Sequence, residues 1–258
     1  MLTSRSFQTP IIGSNAILTG KFGRHLCLLT DHEPFFNHTI YPVFPHAMIS
    51  IYQLKPAFQG LLRPLVRRLA AAGVTANAVT LLAMAISLLV GGWLYLVGQS
   101  HPTWYLLVPL WMFLRMALNA VDGMLAREFG QKTPLGAYLN ELTDVISDAA
   151  LYLPFVWVAP FSWQAVCLVV GLSVVSEMAG ALGPMVGAAR QYDGPMGKSD
   201  RAFLFGALGL WAGLSNGMLP EWVFWVMAVA VPLCILLNIF NRVRSGLAAV
   251  STSSRKEP

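Results

Sequence analysis

Between residues 79 and 241 the sequence consists of six apolar blocks, at roughly 79–98, 103–121, 138–160, 163–188, 202–219 and 221–241, joined by short connections. Each block is about 17 to 26 residues long, enough to cross about 30 Å of hydrocarbon as a helix. Composition agrees: 56% of residues are apolar and 11% charged, with a mean hydropathy of +0.60. An ordinary soluble domain carries about 25% charged residues. The expected fold class is an all-α integral membrane protein of six transmembrane helices preceded by an interfacial amphipathic helix.

That interfacial helix is expected just after Met48, where Leu61, Leu62, Leu65, Val66 and Leu69 share one face and Arg63, Arg67 and Arg68 fall largely on another. Residues 1–47 differ from the rest, being rich in Thr, Ser, His, Pro and Phe without helical period. They are expected to be a disordered or untranslated extension, with Met48 as the start of translation. The membrane domain is expected over 48–245 and a cytoplasmic tail over 246–258.

Basic residues set the orientation. Arg63, Arg67 and Arg68, then Arg127 and Lys132, then Arg190, Lys198 and Arg201, then Arg242, Arg244, Arg255 and Lys256 fall on alternate connections. The connections at 98–103, 160–163 and 216–221 contain no Lys or Arg. The positive-inside bias therefore places both ends of the membrane domain and the 122–137 and 189–201 loops in the cytoplasm. Trp93, Tyr95, Trp104, Tyr105, Trp157, Trp163, Trp211, Trp222 and Trp225 gather near block ends, as interfacial aromatics do. The net charge of +5 forms no basic stripe, which argues against a nucleic-acid partner. Cys27, Cys167 and Cys234 lie far apart, offering neither a disulfide framework nor a CxxC site, and are expected to be buried free thiols.

The informative residues are polar groups in or beside apolar blocks: Arg115, Asn119, Asp122, Asn140, Glu141, Asp144, Asp148 and Glu177. Each costs a few kcal/mol at bilayer depth unless paired, metal-bound or facing a wet cavity. Asn140, Asp144 and Asp148 are spaced i, i+4, i+8 and stack on one face of the third block, with Gly136 one turn earlier. Asn119 and Asp122 are i, i+3 neighbours on the preceding block, and a short loop can bring the two helices together. An oxygen-rich cluster without His or Cys favours Mg²⁺, Mn²⁺ or Ca²⁺ over zinc or copper, and Mg²⁺ commonly binds through a few carboxylates plus substrate phosphates. Gly123 and Ala126 let a ligand approach the backbone, and Arg127 suits phosphate. Intramembrane Asp and Asn also serve as helix–helix glue or in ion pathways, so a small ion-coupled transporter is the competing class.

The stretch Asn119-Ala-Val-Asp122-Gly123-Met-Leu-Ala126-Arg127, followed after eight residues by Gly136-Ala-Tyr-Leu-Asn140-Glu-Leu-Thr-Asp144, resembles the signature of the CDP-alcohol phosphatidyltransferases, DxxDGxxAR then GxxxDxxxD. Six spans after an amphipathic helix are also similar to that family's architecture. Thr75-Ala76-Asn77 is similar to its Thr-Pro-Asn motif, and Gly197-Lys198 to a basic loop of several members. The resemblance implies metal-dependent transfer of a phosphatidyl or related group from a CDP-diacylglycerol-like lipid to a small alcohol or phospho-alcohol, releasing CMP. It implies Mg²⁺ or Mn²⁺, an active site at the cytoplasmic face of a bacterial cytoplasmic membrane, and, as an option, a second copy of the chain as partner.

By the same resemblance Asp122 is a metal ligand, Gly123, Ala126 and Arg127 receive the cytidine and diphosphate, Gly136 belongs to the same small-residue face, and Asp144 is a ligand and the general base. Asn119 and Asn140 replace two of the signature's aspartates while keeping a carbonyl oxygen each. Asp148, one turn further on, and Glu141, beside Asn140 but about 100° around the helix, are the candidate replacement ligands, with Asp148 the better placed; otherwise Asp148 is a carboxylate satisfied by Asn or Thr on a neighbouring helix. Lys198 and Arg201 are expected to take a phosphate on the acceptor, although basic loops also serve topology and anionic lipid. Arg115 and Glu177 are expected to pair inside the bundle, and Thr75 is as well explained by a helix N-cap as by ligand contact. The two Asn replacements leave a third reading, a family member without activity.

Overall fold

A computed structural model of the chain describes residues 51–254, with side chains described from Ala57 to Ser251. The expectations for residues 1–47, for Cys27 and for the last residues of the tail lie outside the described residues. Among the described residues every element is helical apart from one isolated bridge between Ala159 and Met218.

The helices are α1 (Ile51–Ala71), α2 (Ala76–Val97), α3 (Leu107–Glu128), α4 (Pro134–Tyr152), α5 (Trp163–Ala181), α6 (Lys198–Leu214), α7 (Glu221–Trp225) and α8 (Val231–Ser254). A 3₁₀ turn (Pro102–Leu106) leads into α3, and a π turn (Val226–Ala230) joins α7 to α8. Side-chain caps fix several starts. The hydroxyls of Thr75, Thr133 and Ser162 accept from the backbone N–H of Ala78 (3.2 Å), Gly136 (2.9 Å) and Ala165 (3.2 Å). Thr75 is thus a helix cap, and Pro134 follows its cap at the first helical position, where its missing N–H costs nothing.

Three helix ends lie further out than hydropathy suggests. The third helix runs through Asp122 to Glu128, and α4 begins at Pro134, so the expected 122–137 loop shrinks to residues 129–133. Likewise α6 starts at Lys198, inside the expected 189–201 loop, where Asp200 accepts the N–H of Gly197 at 3.1 Å. Hydropathy reports which side chains tolerate lipid, whereas the helical ladder continues through polar residues wherever the backbone stays bonded.

Among the described residues four helices are long and apolar enough to cross a membrane: Ala76–Val97, Pro102–Glu128, Trp163–Val186 and Glu221–Ser251. The other two expected spans fall short on length or charge. The fourth helix carries Glu141, Asp144 and Asp148, and α6 has 17 residues. The chain is an integral membrane protein.

Packing pairs α2 with α3 and α4, α3 with α6, and α5 with α8. The main core gathers Leu94, Tyr105, Trp111, Leu151, Tyr152, Phe155, Phe205 and Met227. Tyr105 belongs there rather than to an aromatic belt, since it is fully buried and its hydroxyl donates to the carbonyl of Pro154. A second core of Val66, Val79, Val121, Met124 and Leu125 seats α1 against α2 and α3, with Leu61 and Leu65 exposed. The thiols differ from expectation too: Cys167 is exposed and Cys234 half-buried, both free.

The α2–α4 contact is close enough to require a glycine. A Cβ on Gly91 would stand 2.1 Å from the carbonyl oxygen of Ala150, whereas one on neighbouring Gly92 meets nothing within 4 Å. Gly91→Ala should therefore lower stability by about 1–3 kcal/mol through overpacking. Gly92→Ala should be neutral or slightly stabilising. Thermal unfolding of the two variants in detergent checks this, and equal behaviour would remove the contact as a determinant.

Candidate active site

At the end of the bundle where α2 and α4 begin and α3 ends lies a cleft of about 460 Å³. Its walls are Ala76, Asn77 and Thr80 from α2, Asp122, Gly123, Ala126 and Arg127 from α3, and Gly136, Asn140 and Glu141 from α4. Gln131, Lys132 and Thr133 of the connecting loop close one side, and Arg190 and Tyr192 of the loop after α5 another. The residues expected to receive a nucleotide therefore converge: Gly123, Ala126, Arg127 and Gly136 share one wall.

The small residues have local reasons. A Cβ on Gly123 would stand 2.9 Å from an Arg127 guanidinium nitrogen, and one on Gly136 would stand 2.8 Å from the Asn77 side-chain oxygen. Both glycines thus leave room for neighbouring polar groups as well as for a ligand. The N-termini of α2 and α4 also open here, and their partial positive charge favours an anion.

Asp122 is buried, with one oxygen accepting from the Thr80 hydroxyl at 2.7 Å. Asp144 lies one turn beyond Asn140 on α4. Its Oδ1 accepts from Arg115 at 3.1 Å and from the Asn119 amide at 3.4 Å, and Lys198 pairs with Oδ2. Lys198 thus sits on the expected base, not in an open loop. Asp148, a further turn on, is outside the cleft walls, buried and paired with Arg115. That pairing is the second alternative for Asp148, a carboxylate satisfied by a neighbouring helix, with Arg115 as the partner in place of an Asn or Thr.

The expected Arg115–Glu177 pair does not form. Arg115 of α3 bridges Asp144 and Asp148 of α4. Glu177 of α5 instead receives Arg190, Arg201 and Arg242, at 3.0, 2.7 and 3.4 Å. Each buried charge takes opposite charges that reach it from other elements, α4 for Arg115 and α6, α8 and the loop after α5 for Glu177, which single charges in a sequence do not reveal. Arg201, expected at an acceptor phosphate, is fully buried on Glu177.

Among the described residues no three or more His, Cys, Asp or Glu are grouped to hold a metal. Oxygen donors on the cleft walls include the carboxylates of Asp122 and Glu141, the latter paired with Arg190, and the amide of Asn140; Asn119 and Asp144 stand outside those walls. This all-oxygen set fits a hard divalent cation by type, with substrate phosphate completing the shell.

Arg127 and Lys132 line the cleft and have no ion-pair partner among the described residues. Lys132, Thr80, Asn77 and Arg190 are cleft residues that sequence reasoning did not assign to the site. Asn77 alone had a signal there, in the Thr75-Ala76-Asn77 echo.

The family profile described as CDP-alcohol phosphatidyltransferase matches residues 73–249, and the chain belongs to that family. Members are enzymes that transfer a phosphatidyl or related group from a CDP-linked lipid to an alcohol with release of CMP. The chain is 46% identical over 201 residues to the inner membrane protein YnbA of Escherichia coli strain K12, covering 77% of this chain and 97% of that one. It is 28% identical over 190 residues to the phosphatidylinositol phosphate synthase of Mycobacteroides abscessus, covering 68% of this chain and 80% of that one. The crystal structure of Mycobacterium tuberculosis phosphatidylinositol phosphate synthase with CDP-DAG bound shares the fold, with a TM-score of 0.53 and 22% identity over 72% of this chain and 92% of that one. The same enzyme in complex with manganese and citrate gives a TM-score of 0.58 at 22% identity, covering 72% and 88%.

The placement of Asp148 makes a prediction. Asp148→Asn removes one partner of a buried ion pair, a change that costs about 3–5 kcal/mol where the remaining charge stays buried. Its thermal midpoint in detergent should fall clearly, while the Mg²⁺ concentration for half-maximal CMP release stays at the wild-type value. A shifted Mg²⁺ midpoint with unchanged stability would return Asp148 to the metal.

Proposed function

We propose that this chain transfers a phosphatidyl group from a CDP-diacylglycerol-like lipid to a small alcohol at the cytoplasmic face of a bacterial inner membrane. Six spans cross the bilayer, with α4 and α6 completing the four apolar ones and α1 lying in the interface. The observation that carries the reading is the cleft lining itself: Asp122, Gly123, Ala126, Arg127, Gly136 and Asn140 on one cleft, with Arg127 and Lys132 there in no ion pair among the described residues. A cation pathway has no use for an unpaired guanidinium; a diphosphate has. The CDP-DAG complex of the tubercular enzyme supports the donor, and its manganese complex supports a divalent cation.

In this reading Arg127 and Lys132 hold the diphosphate, Arg127 through its planar fork and Lys132 as a point charge. Gly123, Ala126 and Gly136 let the nucleotide approach the helices. Asp144 accepts the proton of the acceptor hydroxyl as its oxygen attacks the phosphorus of the phosphatidyl group, and CMP departs with the bridging oxygen. The base is held in position by Arg115 and Asn119 from α3 and by Lys198 from α6. Asp122, Asp144, Asn119 and Asn140 would hold Mg²⁺ or Mn²⁺, which neutralises charge on the diphosphate and on departing CMP.

CMP release from CDP-diacylglycerol and a panel of alcohols tests the proposal. Asp144→Asn should lower kcat by about 10²–10⁴-fold, the usual worth of a positioned general base. Asp122→Asn should abolish turnover with folding intact. Arg127→Lys should lower kcat/KM by about 10- to 100-fold, the cost of one lost charge-assisted hydrogen bond. Asn140→Asp, which adds a carboxylate to the cleft, should tighten Mg²⁺. Near-normal turnover in Asp122→Asn or Asp144→Asn would overturn the assignment.

A further inference from the structure

The three arginines around Glu177 come from separate parts of the chain: Arg190 from the loop after α5, Arg201 from α6 and Arg242 from α8. Both oxygens of the carboxylate are taken. Oε2 accepts from Arg190 at 3.0 Å, and Oε1 accepts from Arg201 at 2.7 Å and from Arg242 at 3.5 Å. The cluster is sealed, with side-chain exposures of 7% for Glu177, 0% for Arg201 and 2% for Arg242. It nevertheless borders the cleft, because Arg190 lines the cleft and also pairs with Glu141 on its wall.

Several guanidinium forks around one anion is the arrangement by which proteins recognise a phosphate group. Here the chain supplies the anion itself. We infer that Glu177 is an internal substitute for an acceptor phosphate, so that the acceptor of this enzyme is an uncharged alcohol or polyol rather than a phospho-alcohol; the inference rests on the transferase reading above. A phosphate brought to this wall meets arginines already committed to Glu177 and Glu141, and two carboxylates that repel it. Lys198, the other cation expected to take it, is held by Asp144. The Nε atoms of Arg190, Arg201 and Arg242 are buried without a hydrogen-bond partner, so the cluster has donor capacity beyond what Glu177 takes up. Glu177 is therefore a specificity-determining residue that acts through the arginines.

Two measurements on purified full-length protein in detergent test this. The first titrates inorganic phosphate in EDTA, so that metal-held phosphate is not counted. Glu177→Gln should bind phosphate at least about 10-fold more tightly than wild type, the gain of freeing charged donors. Equal affinity in the two proteins, or millimolar binding by wild type, overturns the inference. The second compares CMP release from CDP-diacylglycerol and Mg²⁺ with glycerol against glycerol 3-phosphate, and inositol against inositol 1-phosphate. Wild type should favour the uncharged partner of a pair about 10-fold or more, and Glu177→Gln should move the ratio toward the phosphate ester. Preference of wild type for the phosphate esters overturns the inference even if the variant does not fold. Absence of CMP release with every acceptor would count against the transferase reading alone, and the phosphate titration on wild type then still decides this one.

Discussion

Charge satisfaction inside an apolar bundle is the constraint from which the arrangement of this protein follows. Hydrophobic burial brings helices together without specifying which faces meet, because it is non-directional. A buried charge is different: leaving it unpaired costs more than any single apolar contact returns. Arg115 must therefore lie against the acidic stripe of α4, and it fixes α3 and α4 in the register that places Asn119 beside Asp144. Glu177 does the same for α5, α6 and α8. The C-terminal end of α3 and the N-terminal end of α4 then line one cleft.

The same principle divides the cations near the cleft into two kinds. Arg115, Lys198, Arg190, Arg201 and Arg242 each have a carboxylate of the chain as partner. Arg127 and Lys132 have none among the described residues and stand on the cleft wall. Structural cations are those the fold has already neutralised, and binding cations are those it leaves with unmet charge. In the proposed reading, that division assigns Arg127 and Lys132 to the donor diphosphate and leaves the acceptor side without an unpaired cation.

Much of this was legible in the sequence, and the reason is periodicity. The i, i+4, i+8 spacing of Asn140, Asp144 and Asp148 defines a helix face without any tertiary information, as does the small-residue pattern of Gly123 and Ala126. Partners were not legible. Arg115 and Glu177 were each a lone charge in a span, and pairing them was the simplest arithmetic, but proximity depends on which helices touch and at what depth. Arg190 and Lys132 counted only toward orientation, because a basic residue in a short loop carries the same signal whether it faces solvent or a site. The ends of α3 and α6 were missed for a related reason, since apolar blocks mark lipid contact and not the end of the helical ladder. Tyr105 counts as an interfacial aromatic by its position near a block end, which cannot distinguish a ring facing lipid from one donating to a buried carbonyl.

The two asparagines in the signature acquire a physical sense from the charge balance around Asp144. That carboxylate already has three neighbours that donate to it, Arg115, Asn119 and Lys198. The amide of Asn119 donates a hydrogen bond to Asp144, which an aspartate at that position could not do; a carboxylate there would instead face Asp144 as a like charge and require a further cation between them. Asn140 likewise presents a carbonyl oxygen to the cleft without adding an anion. With Asp122 bonded to Thr80, Glu141 paired with Arg190 and Asp144 held by cations, little fixed negative charge is left unmet, and in the proposed reading substrate phosphate would complete the shell of a divalent ion. In the proposed reaction, then, charge is balanced by the side chains that stand there: Lys198 and Arg115 on the base, and Arg127 and Lys132 on the diphosphate.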